Sequence, residues 1–263
     1  MQLIIPDWPG LPSNIGAFAT LRSGGFSRAP YDDGNGGGGL NLGTHVGDLL
    51  QDVERNRARL DMLLPASPVW LSQVHGHHVI DADGFGGGAI VGVEADAAIA
   101  TRAGVVCAIQ TADCLPVLFA DSNGGVVGAA HAGWRGLVGG VLQNTVAHMR
   151  AAGAGPISAW LGAAIGPERF EVGVDVLAAF VDAAETGQTQ PQSRAQIQAC
   201  FTPIAQRPGK YLADIYQLAR IALHQADVRH IHGGGACTVS DRNFYSYRRD
   251  HVTGRMASLI WLK

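Results

Sequence analysis

Hydrophobic and polar positions along this chain follow two periods. Leu49, Val53, Leu60 and Leu63 recur at near-helical spacing, Asp48 stands at an N-cap position with Gln51 three residues on, and Pro65 follows. The pattern predicts a helix over 49–63. A second helix is predicted over 136–152, where Leu137, Val138, Val141, Leu142, Val146 and Met149 form one stripe that Gly153 ends. Further helices are expected over 175–184 and over 211–226, the latter with Leu212, Ile215, Leu218, Ala219 and Ala222 inward. Short apolar runs predict strands at 69–71, 105–109, 117–120, 126–130, 159–161, 244–247 and 257–262. The first forty residues show no clear period. The glycine run 34–39 reads as a flexible excursion, and the polar stretch 186–198 as a surface loop. Strands cluster in runs instead of alternating strictly with helices. That favours an α+β layered sandwich with mixed sheets over a doubly wound parallel sheet. No break in composition divides the chain, so one domain over 1–263 is expected.

Composition sharpens this picture. The chain has 263 residues, a size at which one core can still serve. Its 36 glycines are roughly twice the usual share of about 7%, which points to tight turns and close backbone approach. A formal net charge of -3 gives no electrostatic case for nucleic acid or an anionic membrane surface. No apolar run nears the roughly 20 residues that a membrane helix needs, and the first residues lack the basic leader of a signal peptide. Cys107, Cys114, Cys200 and Cys237 are scattered, which suits reduced thiols in the cytoplasm.

Three segments carry candidate chemistry: Leu71 to Gly76, Thr111 to Pro116 and His131 to Gly136. Asp121-Ser122-Asn123-Gly124-Gly125 reads as the turn of a hairpin. With the turn centred near 122–123, paired positions sum to about 245 or 246, which places Cys114 opposite His131 within a residue of register. His75, at the end of another strand, can join them. Two nitrogens and one sulfur suit zinc with an open fourth position. The same set without metal could be a Cys114 nucleophile with a histidine base, or a buried cysteine and two histidines satisfied by backbone. His75-Gly76-His77 and His230-Ile231-His232 could suggest copper, although no methionine clusters with them. Arg22 beside Gly24-Gly25, and Arg248, Arg249 and Arg255 near the end, could bind phosphate or carboxylate. Glu171 between two apolar neighbours could shuttle a proton. Cys107 reads as core.

Taken in order, many segments match one family. They are Arg22 to Ser27, Leu40-Asn41-Leu42-Gly43-Thr44-His45-Val46-Gly47-Asp48, Asn56-Arg57, Gln73-Val74-His75-Gly76 and Glu94-Ala95-Asp96-Ala97. They continue with Thr111-Ala112-Asp113-Cys114, His131 to Gly136, Ile165-Gly166-Pro167 with Glu171-Val172-Gly173, Asp214-Ile215, Cys237-Thr238, and Phe244 to Asp250 with Thr253-Gly254-Arg255. The chain resembles the YfiH-like, laccase-domain proteins, described first as polyphenol oxidases and later as purine nucleoside phosphorylases. The resemblance implies a layered α+β sandwich of the type shared with cytotoxic necrotising factor and related cysteine hydrolases. It implies a metal, zinc with copper as the alternative, on His75, Cys114 and His131. It implies phosphorolysis of adenosine, inosine and methylthioadenosine, with adenosine deaminase as a side activity. A purine nucleoside and phosphate are then the partners, with Gln73 facing the substrate, Glu171 or Asp113 moving protons, and Arg22, Asn41 and Arg248 as substrate or phosphate contacts. Two departures stand out: Glu168 falls where many relatives carry Cys, and the 34–39 glycine loop is longer than expected. A cysteine hydrolase using Cys114 and His131, a copper-dependent phenol oxidase and a binding protein with a structural metal are the rival readings.

Overall fold

Every residue of the runs Val106–Thr111, Leu115–Asp121 and Val127–Ala132 is buried, so each of these strands needs cover on both faces. The computed structural model, which describes residues 1–85, 93–186 and 192–263, shows where that cover comes from. The chain opens with β1 (Leu3–Ile4), β2 (Ile15–Thr20), β3 (Ser23–Ser27) and helix α1 (Leu50–Asp61). Then come β4 (Val69–Trp70), β5 (Val79–Asp81), β6 (Ala97–Ala100), β7 (Val106–Thr111), β8 (Leu115–Asp121) and β9 (Val127–Ala132). Helices α2 (Trp134–Val138) and α3 (Val141–Ala151) lead to β10 (Ile157–Leu161), β11 (Glu171–Gly173), α4 (Val174–Thr186) and α5 (Gln192–Ala199). The chain closes with β12 (Phe201–Pro203), β13 (Lys210–Ala213), α6 (Ile215–Gln225), β14 (His230–Gly233), α7 (Tyr247–Asp250) and β15 (Met256–Leu262).

A five-stranded mixed sheet runs β1-β2-β15-β7-β4, and a six-stranded mixed sheet runs β14-β10-β8-β9-β6-β5. A small antiparallel sheet runs β11-β13-β12. The layers follow from the two-residue period of a strand. On β8, Val117 and Phe119 share an apolar cluster with Leu142 and Val146 of α3 and Ala219 of α6. Leu118 and Ala120 face the other way and join Cys107, Ile109 and Ile260 of the five-stranded sheet. On β7, Val106 and Ala108 point away from that interface, toward Leu40, Leu42 and Leu60 of α1. The order of layers is therefore α1 with the 40–42 segment, five strands, six strands, then α3 and α6. The fold is mixed α+β, as the clustering of strands predicts. Among the described residues, no helix is long and apolar enough to cross a membrane.

Several local expectations change. The early chain is ordered: β2 sits between β1 and β15 in the five-stranded sheet. The 34–39 glycine run is held, because Asp33 accepts the N–H groups of Asn35 and Gly37 while the Gly38 carbonyl accepts from Gly24 and Gly25. Asp48 does not cap α1. Its carboxylate accepts from Asn41 and from the Leu49 N–H, and Leu49 takes the N-cap position. Val53 and Leu60 are buried as expected, but Leu49 and Leu63 are exposed. The helix expected over 136–152 is two helices, because Gly140 adopts φ 85°, a left-handed conformation that ends one and starts the next. The segment expected as helix over 211–226 begins as strand β13, and Asp214 then caps α6 by accepting from the Gln217 N–H. The expected 186–198 loop contains α5, anchored by buried Ile197; its residues 187–191, like 86–88 of the glycine stretch after Asp83, lie outside the described residues. Residues 244–247 form no strand: Phe244 and Tyr245 are core, and Ser246 caps the short α7.

Asn56 is the fastener of the outer layer. It is fully buried, donates to Ser27 Oγ and to the carbonyls of Gly39 and Asn41, and accepts from the Phe26 N–H. At about 0.5–1.5 kcal/mol net per bond, Asn56→Ala is expected to destabilise the protein by about 2–4 kcal/mol in urea titration. The exposed Glu54→Ala control should stay within about 0.5 kcal/mol.

Candidate metal centre and its cavity

The strand period also directs the site. On β9, Val127 and Ala129 face the five-stranded sheet, so His131 faces the same way, at the strand's end. Pro116 pairs with His131, a register sum of 247. Cys114 is two residues before Pro116, on the same face and one step before β8. The 245–246 register expected for the hairpin is therefore corrected: Cys114 is the diagonal neighbour of His131, not its opposite. His75 arrives on the segment after β4. The ligand atoms of His75, Cys114 and His131 all lie within 4.8 Å of one another, and Cys114 Sγ is 3.7 Å from His75 Nε2. Zinc bonds of about 2.0–2.1 Å to nitrogen and about 2.3 Å to sulfur put tetrahedral ligands about 3.5 Å apart. The Cys114–His75 pair already stands near that spacing, and the widest separation in the trio would close by up to about 1.3 Å around such an ion. Gly133 makes room for it, since a Cβ there would come 2.9 Å from His75 Cδ2 and 3.1 Å from Cys114 Sγ.

Asp96 holds this arrangement. Its carboxylate, with no exposed surface, accepts the N–H groups of Val74, His75 and Gly76 at 3.2, 2.9 and 2.6 Å, and His131 Nδ1 lies 2.8 Å away. Its backbone carbonyl accepts from the His131 N–H. The Nδ1 contact leaves His131 Nε2 for the trio, the carboxylate–histidine arrangement common behind metal ligands. Two residues at the site hold unusual backbone conformations, His75 of the trio at φ 61° and Asp113, next to Cys114, at φ 95°. Such conformations persist where surrounding bonds over-determine them. Asp96 supplies those bonds for His75. For Asp113, Thr238 Oγ1 and the Arg248 N–H donate to its two carboxylate oxygens.

The charges are coupled. Burial disfavours the Cys114 thiolate, but the charge of His131 and hydrogen bonds from His131 and His75 outweigh it and hold the thiol down at about 6. Burial likewise disfavours protonated His131, but Cys114 and Asp96 outweigh it and lift the imidazole to about 9. Asp96 lies below the usual carboxylate range: burial opposes its charge, and the His131 contact and the backbone N–H groups overcome that. A thiolate is thus prepared at neutral pH.

The trio opens into a cavity of about 620 Å³. Its apolar wall includes Leu71, Trp134, Ile165, Phe170 and Ile215, and its polar wall includes His45, Gln73, Gln110, Asp113, Arg135, Arg248 and Arg255. Gln73 and Arg248 are there as the sequence suggests. The Gln73 amide, however, is paired with the backbone of Gln110, donating to its carbonyl and accepting from its N–H, both at 2.8 Å. Three candidates lie outside the lining. Arg22 is buried against the Asp32 carbonyl and the Tyr245 ring, with ion pairs to Asp32 and Asp250. Asn41 is fully buried, bonding Gly43, Asp48 and the Arg255 N–H. Glu171 pairs its carboxylate with Arg207. Arg255, offered from sequence as an anion contact, is in the lining as well, whereas His45, Gln110, Arg135 and the supporting Asp96 are not singled out as site residues from sequence. Asp96 had two signals, its place in the Glu94-Ala95-Asp96-Ala97 motif and its position heading the apolar run Ala97–Ala100. His230 and His232 lie on the edge strand β14, away from the trio.

The family described as multi-copper polyphenol oxidoreductase laccase matches residues 16–263. The chain belongs to this laccase-like YfiH family. Among its relatives, a purine nucleoside phosphorylase of Pseudomonas aeruginosa is 48% identical, covering 99% of this chain and 98% of that protein. The purine nucleoside phosphorylase YfiH of Escherichia coli is 47% identical, with 99% of each covered. A Neisseria meningitidis protein of known structure superposes with a TM-score of 0.86 at 44% identity over 100% of both chains. YlmD of Geobacillus stearothermophilus superposes at 0.81 with 31% identity, over 97% of this chain and 94% of that one.

Two outcomes follow for this YfiH-family site. In chelator-treated protein, alkylation of Cys114 by iodoacetamide should rise with pH through a midpoint near 6, because the thiolate is the nucleophile. Asp96→Asn, which removes the charge behind His131, should move that midpoint upward. In chelator competition it should weaken metal binding by about 10–100-fold.

Proposed function

We propose that the protein is a zinc-dependent purine nucleoside phosphorylase acting on adenosine, inosine and methylthioadenosine. The observation that carries this reading is one cavity with a His75–Cys114–His131 trio and three arginine side chains, Arg135, Arg248 and Arg255. The names of the relatives support the broader class, a purine nucleoside and phosphate. Phosphorolysis forms a C–O bond at the anomeric carbon and breaks the bond to the base, which leaves with the electron pair and takes up a proton. The protein must therefore hold a dianion beside the sugar. Arg248 is already steadied by the Glu171 carbonyl and the Phe170 ring, and Arg255 by the carbonyls of Thr253 and Gly254. Guanidinium groups fixed in this way lose little freedom on binding phosphate. Neither Arg22 nor Asn41 is retained for that role. Zinc held by the trio would supply Lewis acidity toward a substrate oxygen.

Deamination would need a proton-carrying carboxylate. The one carboxylate among the described lining residues is Asp113, whose two oxygens are occupied by Thr238 and Arg248, and Glu171 is turned to Arg207. Phosphorolysis is thus the favoured activity, with deamination secondary. Copper fits less well, since two histidines and a cysteine for copper call for a weak axial ligand such as methionine, and no methionine is among the described residues that line the cavity. A cysteine hydrolase is the second reading. It is favoured by the Cys114–His131–Asp96 chain, whose members stand in the order of nucleophile, base and orienting carboxylate. The reading also takes residues 1–263 as one domain, because β2 near the start and β15 at the end pair in one sheet. A thiolate held at neutral pH fits the reducing cytoplasm.

Inosine with phosphate should yield hypoxanthine and ribose 1-phosphate. Chelation or Cys114→Ala should abolish that turnover and remove stoichiometric zinc. Chelated protein that still cleaves amides would establish the hydrolase instead. Arg248→Met and Arg255→Met should each raise KM for phosphate by about tenfold or more. Arg22→Met should lower the melting temperature and leave KM for phosphate unchanged.

A further inference from the structure

Gln110 combines three properties. It is only 6% exposed, it lines the cavity, and its side-chain Oε1 is buried with no hydrogen-bond partner. Among the described residues four side-chain atoms are orphaned in this way, on Asp61, Gln110, Gln143 and Thr253. Of these residues only Gln110 lines the cavity of the trio. A buried polar atom without a partner is costly and asks for an explanation. Its backbone, by contrast, is clamped on both sides by Gln73. The residue is therefore placed firmly while its functional group is left unmatched.

Its position separates it from the trio. Cys107 and Ile109 of β7 face the six-stranded sheet, as Thr111 does by the same period, and His131 faces β7 from across that interface. Gln110 shares the opposite parity with Val106 and Ala108, and its Oε1 lies beside Gly43 and Arg255. The cavity thus wraps around the end of β7 and touches both faces. A ligand of two units joined by one bond, a base and a sugar, suits that shape.

We propose that Gln110 reads the six-position edge of the purine base. This rests on the phosphorylase reading above. A carboxamide offers an acceptor and a donor side by side. That pattern matches the amino group and ring nitrogen of a 6-aminopurine. A half-turn of the amide presents the reverse pattern, which matches the carbonyl and ring N–H of a 6-oxopurine. Because Oε1 has no partner in the protein, no internal bond opposes either orientation. One residue then accounts for acceptance of both adenosine and inosine.

The test measures binding by titration calorimetry, alongside phosphorolysis, for adenosine, inosine and purine riboside, which lacks the six-substituent. A paired amide typically discriminates by about one to two orders of magnitude. The native protein should therefore favour adenosine and inosine over purine riboside by about tenfold or more. Gln110→Leu should erase that preference, weaken purine riboside less than adenosine or inosine because the riboside offers the amide only its ring nitrogen, and keep or raise the melting temperature, since no protein hydrogen bond at Oε1 is lost. Gln110→Glu, whose ionised carboxylate only accepts, meets the donor but repels the acceptor of either edge and should weaken both adenosine and inosine by about tenfold or more, which keeps the proposal testable if Gln110→Leu does not fold. An unchanged preference in Gln110→Leu, or unweakened adenosine and inosine in Gln110→Glu, overturns the base-reading role and leaves the phosphorylase reading standing. A native protein that binds no purine nucleoside overturns both.

Discussion

A carboxylate without exposed surface is tolerated only when its charge is answered on the spot. Asp96 meets that condition with four donors, three consecutive backbone N–H groups and one imidazole. Each hydrogen bond to a charged group contributes about 1.5–3 kcal/mol, enough together to offset several kcal/mol of desolvation. The same four bonds determine the site. They fold the 74–76 segment so that His75 adopts its left-handed backbone conformation, and they turn His131 so that its other nitrogen meets Cys114. They also hold the positive charge on His131 that draws the proton from the thiol. Without Asp96 the ligands would still exist in the chain, but neither their direction nor their protonation would be set.

The sandwich determines where that happens. Two sheets packed face to face fill their interface with apolar side chains, and polar groups can enter only at its ends. His131 is the last inward position of β9 but one residue from its end, and Cys114 comes just before β8 begins. The chemistry is therefore carried by the same alternation that builds the core, continued until the strands stop. The cavity forms there because α7, the segment after β4 and the 43–45 segment border the gap without filling it.

Strong periodicity was legible in the sequence: β7 to β10, α1, α4, the inner face of α6 and β15 all follow from apolar spacing. The hairpin joining Cys114 and His131 was legible as well, although its register was not. Asp121 accepts the N–H groups of Asn123 and Gly125, which lengthens the turn and centres it between 123 and 124 instead of 122 and 123. The pairing moves by one or two positions, while the parity of Cys114 with His131 depends on which sum is taken. Caps were less legible, since an aspartate beside a helix start can bond elsewhere: Asp48 turns to Asn41, whereas Asp214 does cap α6. The trio's identity as a candidate metal site drew on family motifs as well as on the hairpin. Arg22, Asn41 and Glu171 show why polar residues beside glycines mislead. In a chain with so few charges, many of them bond the backbone of irregular segments, and sequence does not separate that use from ligand binding.

The distinction that sequence lacks is saturation. Asp96, Asp113, Asn41 and Gln73 have their hydrogen-bonding atoms engaged by the protein itself, and each fixes a backbone segment at the site. Gln110 Oε1 is the opposite case, a group fixed in place by a saturated neighbour and left without a partner of its own. Arg255 stands between these extremes, its backbone N–H bonded to Asn41 while its guanidinium lines the cavity. Saturated polar groups thus act as the scaffold, and unsaturated ones as the surface that meets a ligand. Because a buried polar group without a partner is disfavoured, its presence beside a cavity locates ligand chemistry more sharply than the residue type alone.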